Sequence, residues 1–314
     1  QNFSITGNGG IDGTTAVVLT NSGSNFPGTS NNYTGGTCIG GGTLSITNDS
    51  ALGTNTGSVA LSGGTLRFDA SGTSSRALTT TANSGIGVAE GATVQFTGTI
   101  SGTGALEKSG EGVLNLSTAN SLSVPATVSG GALRLSDANA ATNGSIGSLI
   151  ENGIVFNSGI GTFNVGGLTG SGPLNLVDSA AAPVSLSVGG NNSSSTFNGS
   201  LTGGGSLVKV GTGTLTLNGS SSYSGGTFVA EGILAAGNGE SPGIVSPFGT
   251  GTVTITNGAL VYLGTTPLNA FGSYQIENNV TLDNGSLYAW DGSQRVLGNL
   301  HVGPGGGAIG STFN

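Results

Sequence analysis

Apolar residues recur at every second position in short segments throughout the chain, and glycines separate these segments. In the segment Gly-Thr-Leu-Ser-Ile-Thr at residues 42–47, Leu44 and Ile46 alternate with hydroxyl residues. A period of two is typical of a β-strand with one buried face. Apolar residues at helical spacing are not found, and each glycine in a helix costs about 1 kcal/mol. The pattern therefore predicts an all-β chain without helices.

One long segment repeats after 101 residues, since residues 96–133 align without a gap on residues 197–234. The two copies share glycines, leucines and a lysine, Lys108 in the first copy and Lys209 in the second. A shorter element, Tyr-Thr-Gly-Gly-Thr from Tyr33, recurs as Tyr-Ser-Gly-Gly-Thr from Tyr223. Self-similarity of this kind is the signature of a repeat architecture.

Short strands joined by glycine or Asn-Gly corners fit a sandwich, a propeller or a solenoid. Tandem modules of varying length without hairpin signals favour a parallel solenoid, whose coils of roughly 20 to 25 residues stack around one core. We expect a single continuous β-solenoid over residues 1–314. Its repeat modules are expected at about residues 31–95, 96–196 and 197–264, with terminal coils at 265–314.

These residues resemble the autotransporter-associated β-strand repeat, which occurs in passenger regions of large bacterial surface proteins. Gly205–Leu234 carries the repeat's Gly-x-Leu-x-Lys step, its Gly-x-Gly-x-Leu-x-Leu step, a tyrosine-containing turn and a closing Gly-x-Leu. Gly104–Leu133 departs from it at the turn, where Leu122 replaces the tyrosine. The resemblance implies a right-handed parallel β-helix, a location outside a bacterial cell or on its outer surface, and a structural or adhesive role. It implies no catalytic residues.

Composition excludes several other classes of protein. Charged residues make up 6% of the chain and the formal net charge is −8, whereas about 25% charged residues is usual. The six Lys and Arg residues are far apart, which argues against nucleic-acid binding. No run approaches the ~20 apolar residues of a transmembrane helix. The absence of methionine indicates a processed or excised segment.

Few residues are candidates for chemistry, and we predict no cofactor and no metal site. We expect Cys38, the single cysteine, to face the core as a small apolar residue. A catalytic triad at His301, the single histidine, is disfavoured. Residues 7–12 faintly resemble a calcium-binding repeat, but only one copy is present. Lys108 and Lys209 are expected on the surface, where lysines protect strand edges.

The densest candidate group consists of Asp283, Tyr288, Trp290 and Asp291. An aromatic ring beside carboxylates could cradle a sugar ring, although a terminal coil with an exposed aromatic explains the same residues without a ligand. Three functions stay open: a structural rod or fibre subunit that self-associates through its terminal coils, an adhesin passenger that binds host or matrix glycans, and a carbohydrate-active enzyme. The enzyme ranks last, because the fourteen acidic residues are scattered singly.

Overall fold

The computed structural model describes residues 3–4, 17–19, 24–26, 30–119, 125–237, 247–263, 275–289 and 295–311. The chain divides into two compact units, which are taken in turn. Unit 1 comprises residues 1–145 and 153–155, and unit 2 comprises residues 146–152 and 156–314. Two strands lie across the division, β17 (Ala141–Ser148) and β18 (Ile154–Phe156).

Unit 1 consists of short strands. They are β1 (Phe3–Ser4), β2 (Val17–Leu19), β3 (Ser24–Phe26), β4 (Thr37–Ile39), β5 (Thr43–Ile46), β6 (Val59–Ser62), β7 (Thr65–Phe68), β8 (Gly72–Ser74), β9 (Leu78–Ala82), β10 (Ser84–Val88), β11 (Thr93–Phe96), β12 (Ile100–Gly102), β13 (Leu106–Ser109), β14 (Val113–Leu116), β15 (Ala126–Val128) and β16 (Ala132–Leu135). A 3-10 turn, Asp49–Leu52, interrupts them. This turn is a helical element that the alternating pattern did not predict.

The strands of unit 1 form three parallel sheets. Their orders are β1-β3-β5-β7-β10-β13-β15, β2-β4-β6-β9-β12 and β8-β11-β14-β16. Successive strands β6, β7 and β8 enter three different sheets, and β9, β10 and β11 repeat the cycle one coil later. Thr43 pairs with Thr65, Thr65 with Gly85 and Gly85 with Glu107, so these coils are of nearly equal length.

Unit 2 is built in the same way. Its strands are β19 (Thr162–Gly170), β20 (Leu174–Asn175), β21 (Ser185–Val188), β22 (Ser195–Phe197), β23 (Leu201–Thr202), β24 (Ser206–Lys209), β25 (Thr214–Leu217), β26 (Thr227–Val229), β27 (Ile233–Ala236), β28 (Val253–Thr256), β29 (Leu260–Leu263), β30 (Gln275–Ile276), β31 (Val280–Asp283), β32 (Gly285–Ala289), β33 (Arg295–Val296), β34 (Leu300–Val302) and β35 (Gly307–Ser311).

The sheets of unit 2 are also parallel. Two long ones have the orders β19-β21-β24-β26-β28-β31-β34 and β22-β25-β27-β29-β32-β35, and β20-β23 and β30-β33 are two-stranded. Leu207 pairs with Thr227, Thr227 with Val253 and Val253 with Val280. The second and third of these coils are longer than the first, and each of the two includes residues outside the described ranges.

Alternate side chains of each strand point into the core. In β7, Leu66 and Phe68 are 1% and 3% exposed, whereas Thr65 and Arg67, which alternate with them, face outward. Equivalent inward residues of successive coils lie directly above one another, as Leu44, Leu66 and Ile86 do. The predicted all-β parallel solenoid is therefore confirmed. The predicted module boundaries stay a prediction.

Candidate functional site

The two repeat lysines lie inside the solenoid, so the expectation that they are exposed is wrong. Lys108 and Lys209 are 2% and 1% exposed. Each stands two residues after a buried leucine, Leu106 or Leu207, and therefore points to the same side of its strand. Strand alternation turns these lysines inward despite their charge.

Both buried ammonium groups bind backbone carbonyls at a glycine corner. Nζ of Lys108 donates hydrogen bonds of 2.8–3.0 Å to three carbonyl oxygens, those of Ser109, Gly110 and Gly130. Nζ of Lys209 does the same at 2.6–3.2 Å, with Val210, Gly211 and Glu231. The third acceptor in each set belongs to the following coil. Each lysine thus ties two consecutive coils together, and these bonds replace those that the buried charge loses with water.

Burial lowers the pKa of Lys108 and of Lys209 to about 8, because desolvation disfavours the charged ammonium. The carboxylate of Glu111 acts in the opposite direction and raises the pKa of Lys108. The carboxylate of Glu231 does the same for the pKa of Lys209. Because a pKa of about 8 lies above neutral pH, both lysines are mainly protonated there and can donate all three bonds.

The Tyr-x-Gly-Gly-Thr element forms a second kind of corner. The hydroxyl groups of Tyr33 and Thr37 lie 2.6 Å apart, and the backbone N–H of Thr54, from the following coil, donates to the Tyr33 carbonyl at 3.0 Å. Gly53 has φ of +80°, and a Cβ there would lie 2.8 Å from ring carbon Cδ2 of Tyr33. Glycine is therefore required where the chain passes the buried tyrosine.

Unit 2 repeats this corner with different residues. The hydroxyls of Tyr223 and Thr227 lie 2.5 Å apart, and the N–H of Thr250 donates to the Tyr223 carbonyl at 2.9 Å. Gly249 takes the place of Gly53, with φ of +67°. Burial raises the pKa of Tyr223, and the hydrogen bond with Thr227 opposes this shift. The recurrence of the element in the sequence thus corresponds to a recurring corner in each unit.

Arg76 closes the corner of unit 1 from the coil beyond. It is 1% exposed, and Nε donates to Oδ2 of Asp49 at 2.8 Å. Its two terminal nitrogens donate four more bonds of 2.6–3.0 Å, to the carbonyls of Asp49, Gly53, Thr54 and Gly57. All five guanidinium N–H groups are therefore satisfied.

Asn278 closes the equivalent corner of unit 2. It is 2% exposed, and Nδ2 lies within hydrogen-bonding distance of carbonyl oxygens of Gly249 at 3.0 Å and Gly251 at 2.7 Å. Arg76 and Asn278 occupy equivalent positions. Arg76 precedes Ala77, whose carbonyl accepts a hydrogen bond from the N–H of Val59 at the start of β6. Asn278 precedes Asn279, whose carbonyl accepts the equivalent bond from the N–H of Val253 at the start of β28. A neutral amide thus replaces a guanidinium at the same corner.

The sequence-predicted sugar-binding group is only partly described. Asp283, at the end of β31, is half-buried, and its Oδ1 accepts a 2.6 Å hydrogen bond from the backbone N–H of Gly305. Tyr288 lies in β32, which belongs to a different sheet from β31. Trp290 and Asp291 lie outside the described residues. Sugar binding by this group stays a prediction.

Tyr288 instead pairs with Tyr262 of the preceding coil, a residue that sequence reasoning missed. The ring centroids are 6.1 Å apart and the ring planes are tilted by 52°. One feature of the sequence is shared by the two tyrosines and could have identified both. Each directly follows an inward aliphatic residue, Val261 or Leu287, in a glycine-bounded strand. The register between the two strands could not be predicted, because the tyrosines belong to different coils and the coils differ in length.

The remaining candidates take outward positions. Cys38 is half-buried on the outer face of β4, between Val18 and Ala60 of the adjacent strands, so the expectation that it faces the core is wrong. The inward positions of β4 belong to Thr37 and Ile39, which are 2% and 0% exposed. His301 is exposed in β34 and pairs with Thr281.

The described residues contain neither a candidate metal site nor a candidate membrane span. They contain no group of three or more His, Cys, Asp and Glu residues that could hold a metal ion. The described ranges also contain no helix that is long and apolar enough to cross a membrane. The calcium-like segment at residues 7–12 lies outside them.

Stacked parallel coils with inward aliphatic columns define a β-solenoid. Three segments, residues 12–46, 106–135 and 207–236, match the passenger-associated-transport-repeat family model. The chain thus carries repeats of the passenger type, and the resemblance noted in the sequence is confirmed.

A curated relative matches part of the chain. An adhesin of Brucella suis biovar 1 (strain 1330), Adhesin BmaC autotransporter, is 45% identical over 86 residues. The match covers 27% of this chain and 2% of the relative's length. No solved structure matches the chain.

The hydrogen bonds of Arg76 predict that replacing it lowers the free energy of unfolding much more than replacing the exposed Arg67 does. Replacing Arg76 with glutamine should lower the free energy of unfolding by about 3 to 5 kcal/mol, because it leaves buried carbonyls and Asp49 without donors. Arg67 forms an exposed ion pair with Asp69, so Arg67→Gln should lower it by less than about 1 kcal/mol. Urea unfolding followed by circular dichroism measures both values, and equal losses would contradict the role of Arg76.

The buried lysines predict a rise in stability at alkaline pH. Their pKa values of about 8 in the folded state lie below 10.5, the value for an unperturbed lysine. Between these values the unfolded chain binds more protons, so the free energy of unfolding should increase with pH from about 8 to 10. Above pH 10 the raised pKa of Tyr223 acts in the opposite sense.

The matched variants are Lys108→Met and Lys209→Met, which keep a linear apolar side chain and remove the titrating group. Each should unfold at a lower urea concentration at pH 7, because the corner carbonyls lose their donor. Each should also show a smaller increase in the free energy of unfolding between pH 8 and 10. An unchanged pH dependence in both variants would rule out the lysines as its source.

Proposed function

We propose that this chain is a segment of a non-enzymatic, extracellular passenger β-solenoid of a bacterium, with a structural role. The observation that carries the proposal is the use of its buried polar side chains. Arg76, Lys108, Lys209 and Asn278 all bond to the backbone at corners between coils. Side chains of the kind that often perform chemistry are here committed to holding the coils together.

The comparisons support the location. The repeat model that matches the chain describes passenger-associated transport, and the Brucella relative is an autotransporter. A surface of low charge and many hydroxyl groups is compatible with an exposed structural segment, since 6% of the residues are charged.

Antibodies against the purified chain should test the location in the bacterium that produces it. The chain should be stained on intact cells or recovered from the medium, and external protease should remove the surface signal while a cytoplasmic marker stays intact. A signal confined to the cytoplasmic fraction would contradict the proposal.

The proposed structural role includes self-association through a terminal coil. Leu300 and Val302 continue the inward columns above Val280 and Leu282, yet they are 43% and 51% exposed. Ile309, above Leu287, is 61% exposed. Among the described residues no strand covers these three side chains, and an uncovered sheet end favours contact with further β-strands.

The purified chain should therefore form dimers and longer fibres as its concentration increases, as measured by sedimentation velocity and electron microscopy. Leu300→Asp and Val302→Asp should prevent this association, because they place charges at the end of the core. Phe228→Asp is the matched control, since Phe228 is 45% exposed on an outer sheet face. A wild-type chain that stays monomeric at every concentration would refute self-association.

Adhesion is the second candidate, and the similarity to an adhesin favours it. In this role the solenoid would bind host or matrix glycans while keeping the same scaffold. The described residues show no feature that favours the third alternative, a carbohydrate-active enzyme.

A further inference from the structure

The sheet β22-β25-β27-β29-β32-β35 of unit 2 carries two tyrosines on its outer face. Tyr262 of β29 and Tyr288 of β32 are directly paired in register. The neighbouring Val261 and Leu287 point inward and are 0% and 4% exposed. The two half-buried rings therefore project outward from consecutive coils, one ring per coil.

Small residues lie on both sides of this tyrosine pair. Tyr288 pairs with Gly310, and Tyr262 pairs with Ala235. A Cβ at position 310 would lie 2.6 Å from Cε1 of Tyr288, so the ring extends over the glycine. A larger residue at 310 would displace the ring.

Packing of the core does not account for the tyrosine pair, because both rings lie on the outer face of the sheet. Another ring pair of unit 2, Phe156 and Phe163, has centroids 4.7 Å apart, and both residues are 0% exposed, so it belongs to the core. An aromatic pair adds about 0.5 to 1.5 kcal/mol beyond the burial of its surface. Two adjacent outward rings give this sheet face an apolar area, and exposed apolar areas are a common feature of interaction sites.

Within its described strands, the face around the tyrosines carries no formally charged residue. None of the six strands of this sheet contains Asp, Glu, Lys or Arg. The outer positions next to the pair belong to Leu260, Ser286 and Ala308, which lie in register with one another. This face therefore offers aromatic, aliphatic and hydroxyl groups and would recognise a neutral, amphipathic ligand.

A neutral oligosaccharide has this chemistry. The C–H groups on one face of a pyranose ring carry partial positive charge and stack against the electron-rich face of an aromatic ring. Sugar hydroxyl groups can bond to phenol and serine hydroxyls. Coils rise by about 4.8 Å, which is close to the length of one sugar unit, so successive sugars can meet successive coils.

From this geometry we infer that Tyr262 and Tyr288 form a binding platform for a neutral oligosaccharide running along the solenoid. The inference rests on the adhesive role given above as the second candidate and specifies its site and ligand class. It shares Tyr288 with the group predicted from the sequence and does not depend on Asp283, which lies on another sheet.

Titration calorimetry and saturation-transfer NMR on the full chain test the platform with cellohexaose, maltohexaose, chitohexaose and hexagalacturonic acid. At least one neutral hexasaccharide should bind with a dissociation constant below about 1 mM, and the acidic one should not. Tyr262→Ala or Tyr288→Ala should weaken binding about tenfold or more, and the double variant should abolish it. Tyr→Phe variants should retain the stacking and lose only part of the affinity.

Phe228→Ala is the matched control, because it removes an exposed aromatic ring from a different sheet and should leave binding unchanged. Circular dichroism of each variant establishes that the fold is intact. Failure of all three neutral sugars to bind, or full binding by the folded double variant, would overturn the platform. The structural proposal would survive that result, since it depends on surface location and not on sugar binding.

Discussion

The hydrogen bond between a backbone carbonyl and the next coil is the interaction on which this structure depends. Within the straight strands, parallel pairing satisfies these groups without help from side chains. At the corners the backbone leaves the sheet, and buried carbonyls need other donors. Lys108, Lys209, Arg76 and Asn278 supply them from inside the solenoid. These polar side chains of the core therefore lie where the regular ladder ends.

This constraint also explains how a chain with so little charge can bury some of it. Removing an ammonium from water is unfavourable unless its hydrogen bonds are replaced. A glycine corner provides several carbonyls at short range because it has no side chain to hold them apart. Lys108 and Lys209 occupy such corners in separate repeats, which links the Gly-x-Leu-x-Lys step to a definite structural task.

Much of the fold could be predicted from the alternation of apolar residues and from the two repeats. The inward position of Leu44, Leu66 or Leu207 follows directly from a period of two. The same period places Lys108 and Lys209 inward, whereas the general preference of lysine for water predicts the surface, and in the structure the period prevails. Arg76 could not be placed, because its acceptors belong to an earlier coil and no local pattern connects them to it.

The candidate site was harder to predict, because it depends on register between coils of unequal length. The sequence around Tyr288 makes it a candidate, whereas its structural neighbour, Tyr262, belongs to the preceding coil. Asp283 is close to Tyr288 in the sequence, but the chain turns a corner at Asn284, with φ of +60°, and Asp283 lies on another sheet. In a solenoid, nearest neighbours along the surface come from the coil above and the coil below.

The unequal coils have an evolutionary consequence. In unit 2 the coil from Leu207 to Thr227 is shorter than the two that follow it, from Thr227 to Val253 and from there to Val280, yet the paired strands keep their register. Extra residues between paired strands are therefore compatible with an unchanged register, while a single-residue insertion within a strand would turn its aliphatic side chains out to solvent. Such a scaffold can accommodate coils of different length while the columns of its interior stay aligned.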